Sequence, residues 1–110
     1  MLTHGQKMHF HTFGYLPLRG VFSSGEAETI RMESEDSFSQ NIGKKLPDGR
    51  QAIQPFFERQ SFSSRLVDDD RIYEIGEDLL GPDFFLIGTE GNLHSGDTPW
   101  HGAEVWELGL

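Results

Sequence analysis

Apolar residues in this chain fall into short, separated groups, and their spacing predicts helices first and strands later. Thr3 and Gln6 stand at capping-box spacing, which starts a short helix running to about His11, with Gly14 as its stop. Tyr15-Leu16-Pro17-Leu18 alternates like a short strand, and Pro17 confines it to a sheet edge because it has no N–H to donate. A second capping box pairs Ser23 with Glu26, with Phe22 before the cap and Ala27 placed to close a hydrophobic staple. Ala27, Ile30, Ser34 and Phe38 recur at helical spacing, while Glu28, Glu33, Glu35 and Asp36 fill the other faces. An amphipathic helix to about Gln40 is expected, with one face packed and the other wet.

Between Asn41 and Phe62 the periodicity weakens. Pro47-Asp48-Gly49 predicts an excursion or a hairpin tip, and Gln54-Pro55-Phe56-Phe57 reads either as a strand fragment or as a loop laying two rings on the core. A third helix begins in the acidic group Asp68 to Asp70, carries Ile72, Ile75 and Leu79 on one stripe with Leu80 beside it, and stops at Gly81-Pro82. Phe84 to Ile87, the turn Glu90-Gly91 and Asn92 to Ser95 predict a strand, a tight turn and a second strand. Pro99 to Leu110 reads as extended. The order of elements indicates an α+β arrangement in one domain spanning 1–110.

Composition narrows the function classes. Hydrophobic residues make up 35% of the 110, and nine Phe, two Tyr and two Trp run from Phe10 to Trp106, which marks a folded chain with no surplus of core. Cysteine is absent, so a metal here has to use His and carboxylates. Met1 to Lys7 hold no apolar run of signal-peptide length, and nowhere do about 18 apolar residues follow one another as a bilayer span requires. A cytoplasmic protein without a membrane partner is the expectation. The net charge of -9 is uneven: Met1 to Val67 carry eight basic and seven acidic residues, Asp68 to Leu110 one and eleven. Such a surface repels a phosphate backbone, so no nucleic-acid partner is expected. The simplest reading of Asp68-Asp69-Asp70 is a solvated helix start. No phosphate-cradling glycine loop, Ser/His/Asp triad or zinc signature appears.

The richest stretch for chemistry is Gly88 to His101, and within it Gly96-Asp97-Thr98-Pro99-Trp100-His101 resembles the segment of phytanoyl-CoA dioxygenase-like proteins that delivers the first iron-binding His. Phe13-Gly14-Tyr15-Leu16 followed by Arg19-Gly20-Val21-Phe22 resembles that family's entry strand, and Leu79-Leu80-Gly81-Pro82-Asp83-Phe84 its helix-to-strand joint. The resemblance implies the amino-terminal helices and first strands of a double-stranded β-helix, the jelly-roll, cupin-like fold of these oxygenases. It also implies Fe(II) and 2-oxoglutarate as cofactors, a small-molecule substrate, and His101 as a metal ligand. The family's distal His and its 2-oxoglutarate-binding Arg belong beyond Leu110, so the chain is expected to be a fragment, a truncated gene product, or a domain completed by another polypeptide, either the carboxy-terminal half or a homo-oligomer partner.

Ferrous iron in such enzymes is held by two His and one carboxylate on one face, leaving open positions for cosubstrate and oxygen. A strand aims residues two apart at the same side, which suits a His-x-Asp or His-x-Glu pair. Two residues after His101 stands Ala103, which has nothing to ligate with. Glu104 comes one position late and faces the opposite side unless a bulge re-aims it. Three readings stay open: a halogenase-like site in which Ala103 leaves room for a halide, a displaced carboxylate such as Glu104, or a non-catalytic remnant serving as a binding module. Of the other histidines, His94 reads as structural or as support behind the ligands. His4, His9 and His11 read as exposed, the last two lying on different helix faces. Asp97 suits an Asx-type turn, and Trp100 and Trp106 suit core or pocket wall.

Overall fold

The structure, a computed structural model, describes residues 1–97. Its elements run α1 (His4–Phe13), α2 (Ser24–Ser39), β1 (Lys44–Lys45), β2 (Gln51–Ile53), two 3₁₀ turns (Phe57–Arg59 and Ser63–Asp68), α3 (Asp70–Leu80) and β3 (Gly91–Leu93). The α+β expectation is met at this level: helices combine with a small antiparallel sheet of order β1-β2-β3.

Both capping boxes form. The Gln6 N–H donates to Thr3 Oγ1 at 3.1 Å while the Thr3 N–H donates to Gln6 Oε1 at 2.8 Å. Ser23 and Glu26 repeat the exchange at 3.1 and 2.8 Å. Each box satisfies amide donors that the first helical turn leaves without carbonyls. Gly14 ends α1 in the left-handed region at φ 78°, its N–H on the Phe10 carbonyl at 2.7 Å. α3 starts under Asp69, whose carboxylate accepts the Arg71 N–H at 2.9 Å.

The hairpin tip also forms as expected. Asp48 Oδ1 accepts the Arg50 N–H at 2.9 Å, and the Leu46 N–H reaches the Arg50 carbonyl at 2.9 Å, so β1 turns back into β2 with Lys44 opposite Ala52. β3 lies on the other side of β2, with Ile53 opposite Gly91. This third pairing departs from the sequence expectation, in which Phe84 to Ile87 formed a hairpin with Asn92 to Ser95 across a Glu90-Gly91 turn. Two packing choices account for the change. The Phe84 ring settles over Gly76 of α3 and against Tyr73, at 5.1 Å between centroids, which ties that stretch to a helix instead of a ladder. Gly91, buried and without a Cβ, lets the Phe56 ring lie on its backbone, which places Gly91 inside a strand. Tyr15 to Leu18 likewise joins no sheet.

Few apolar residues are buried: Leu2, Ile53, Phe56 and Leu66 form the centre, with Phe38 and Phe57 rings beside Phe56 at 5.4 and 5.3 Å. Polar contacts do much of the joining between elements. Glu33, expected on the wet side of α2, turns inward and accepts the Phe62 and Ser63 N–H groups at 2.8 Å each and the Ser63 hydroxyl at 2.6 Å. Burial pushes its carboxyl up, but these donors outweigh that and hold it below its ordinary value. The interior stripe of α2 therefore includes Glu33 and the buried Ser37, and Gln60 donates to the Ser37 hydroxyl. Asp78 of α3 accepts the Leu2 N–H at 2.6 Å and pairs with Lys7 at 3.6 Å, docking α1. His9 differs from expectation too: its ring packs between Phe13 at 4.8 Å and Tyr15 at 5.1 Å and is only partly exposed.

The close approach of Phe56 to Gly91 makes a sharp expectation. Gly91→Ala forces the ring off β3 and destabilises the fold by about 1–3 kcal/mol, the usual cost of overpacking. Urea unfolding measures it, and an unchanged midpoint contradicts the packing described.

Candidate functional site

β3 leads the chain out of the sheet toward the run that carries the family resemblance. Arg50 at the start of β2 steadies this strand by donating to Asn92 Oδ1 at 3.2 Å. From Asn92 to Asp97 every residue is exposed, His94 included. His101, Ala103 and Glu104, with Trp100 and Trp106, lie outside the described residues, as do Thr98 and Pro99 of the expected Asx turn. Among the described residues no group of three or more His, Asp or Glu side chains gathers to hold a metal ion. His4 and His11 point to solvent on α1.

What the described residues do bring together is an apolar cleft of about 480 Å³. Ala27 and Ile30 of α2, Ile72 of α3, and Phe22, Leu66 and Leu86 line it. Phe57 and Thr89 also line it. Thr89 is the polar side chain among these, and its hydroxyl is fully engaged. It accepts the Phe56 and Phe57 N–H groups at 3.2 and 3.0 Å and donates to the Glu58 carboxylate. The Thr89 hydroxyl and nearby backbone donors hold the Glu58 carboxyl below its ordinary value.

Arg71 braces the cleft from outside. Its guanidinium donates to both Glu26 oxygens at 3.0 and 2.9 Å, to both Asp69 oxygens at 2.9 and 2.8 Å, and to the Val21 carbonyl at 3.1 Å. It also lies 4.7 Å from the centre of the Phe22 ring, a cation–π contact. Arg71 therefore fastens the first turn of α3 to the cap of α2. Hydrogen bonds from Arg71 first, and from the Ser23 backbone second, bring the Glu26 carboxyl from 4.5 to about 2. Arg71 likewise brings Asp69 from 3.8 to about 2. Of the three aspartates read as a solvated helix start, Asp69 is thus a cap and an ion-pair partner. The sequence held a signal for this node, because Arg71 is the one basic residue after Val67. Phe22 and Ala27, read as a helix staple, turn out to be cleft walls as well.

No protein-family model, curated protein or solved structure matches the chain.

The depressed carboxyls set a pH window. A group whose folded pKa is lowered stabilises the fold above its unfolded value and loses that contribution as pH falls through the folded one. The stability gap between wild type and Arg71→Gln is therefore full above 4.5, the ordinary Glu26 value, and closes as pH falls toward about 2. Urea unfolding across that range measures it, and a gap that persists unchanged at the acid end contradicts the pairing.

Proposed function

We propose that this chain is the amino-terminal portion of an Fe(II)/2-oxoglutarate-dependent oxygenase of the phytanoyl-CoA dioxygenase type, with His101 as its first iron ligand. The observation that carries the proposal is the run Gly96-Asp97-Thr98-Pro99-Trp100-His101, arriving after the Leu79 to Phe84 joint in the order the resemblance implies. The antiparallel strands β1 to β3 are then the first of a double-stranded β-helix, and the helices before them pack on its outside. Bound Fe(II) and 2-oxoglutarate would let dioxygen serve as the oxidant, one oxygen atom going into the decarboxylation of 2-oxoglutarate to succinate and CO2 and the other into hydroxylation of a small organic substrate. No ligand set gathers among the described residues, and His101 itself lies beyond Asp97. A carboxy-terminal half or a second copy of the chain completes the site.

Ala103 favours a second reading. With no carboxylate two residues after His101, the site is either halogenase-like, with a halide where the carboxylate stands elsewhere, or a remnant that keeps the fold as a binding module. Glu104 keeps the oxygenase reading open if the strand bulges there.

Anaerobic Fe(II) titration of the full-length gene product tests the assignment. His101→Ala is expected to weaken binding at least about tenfold, the scale that even supporting partners of a metal ligand contribute. Equal affinity in wild type and variant sinks the role given to His101. Turnover that depends on chloride selects the halogenase branch over hydroxylation.

A further inference from the structure

The cleft between α2 and α3 points to a binding function of its own, one that does not rest on iron. Its volume of about 480 Å³ lies within the range of small-molecule pockets. Its walls are hydrocarbon, and the hydroxyl of Thr89 already accepts two amides and donates to Glu58. Among the described lining side chains a polar group pushed inside meets no free partner, which disfavours it. Whatever fills the cleft has an apolar body.

Charge at the rim selects the other end of the ligand. Glu58 follows Phe57 in sequence and takes the Thr89 hydroxyl, so its exposed carboxylate stands beside two residues that line the cleft. The positive charge of Arg71, beside Phe22, is already shared between Glu26 and Asp69. An anionic head group meets the Glu58 carboxylate beside Thr89, or beside Phe22 a guanidinium already paired, on a chain of net charge -9. A cationic head meets the exposed carboxylate of Glu58.

The geometry points to the α2–α3 cleft as a site for a small amphiphilic amine, its hydrocarbon body between Ile30 and Ile72 and its ammonium group beside Glu58. A matched series of probes tests this on the whole chain: phenylbutylamine, phenylbutanol and phenylbutyrate share one apolar skeleton and differ in charge. Titration followed by the methyl resonances of Ile30, Leu66, Ile72 and Leu86 is expected to show saturable binding, tightest for the amine. An exposed ion pair contributes about 0.2–1 kcal/mol, so the amine should exceed the alcohol by up to about fivefold, with the carboxylate weakest. Glu58→Gln, which keeps an acceptor for Thr89, should bring the amine to the level of the alcohol. Ala27→Phe places a ring into the cleft from an exposed helix position and should abolish binding of all three. Absence of saturable shifts at these methyls, a carboxylate that binds as well as the amine, or an Ala27→Phe variant that binds normally overturns the proposal.

Discussion

The Arg71 guanidinium is the contact through which the two longer helical regions of this protein act on each other. α3 has no fully buried residue, and its apolar side chains Ile72 and Leu80 stay 41% and 69% exposed, so hydrophobic burial alone does not fix its position. Arg71 does so by gripping Glu26 at the cap of α2, Asp69 at the cap of α3, the Val21 carbonyl and the Phe22 ring at once. Arg suits this task because its planar fork offers several donors in fixed directions, while the flat face stacks on an aromatic ring. At the other end of α3, Asp78 holds the α1 amino terminus, so carboxylates anchor the helix from both sides.

The same device recurs through the fold. Glu33 receives two backbone amides from the start of the second 3₁₀ turn, and Thr89 receives two from the start of the first. With four buried apolar residues among those described, the chain uses side-chain oxygens to satisfy irregular backbone that helices and strands leave open. One consequence is an open apolar cleft between helices held at fixed separation. Exposed Phe85 and Ile87 beside it are a second consequence, since the Phe84 ring spends its segment on α3 and the sheet gains no strand there.

Local signals were legible in the sequence wherever the physics is local. Both capping boxes, the Gly14 and Gly81 stops, and the Asp48-Gly49 turn depend on neighbours a few residues away, and each forms where its residues predict. Strand partners depend on distant choices, and these were not legible. Whether Asn92 pairs with Phe84 to Ile87 or with Ala52 is decided by Gly91 accepting the Phe56 ring and Gly76 accepting Phe84, contacts between residues far apart in the chain. Glu33 misled for a related reason: helical periodicity assigns it to the wet face, and only the unsatisfied amides of Phe62 and Ser63 draw it inward. The cleft was half visible, through Phe22 and Ala27, whereas Leu66, Leu86 and Thr89 come from segments without periodicity. His101 remains an assignment carried by sequence resemblance, and Glu104 a departure from that pattern that needs a bulged strand.

If Arg71 couples the two helices, its effect on stability and that of Glu26 belong to one interaction. A double-mutant cycle at neutral pH, with Arg71→Gln, Glu26→Gln and the pair unfolded in urea, measures that coupling directly. The double variant is expected to lose clearly less stability than the two single losses added together. Additive losses would show that Arg71 and Glu26 act independently and would contradict the clamp on which this description of the fold rests.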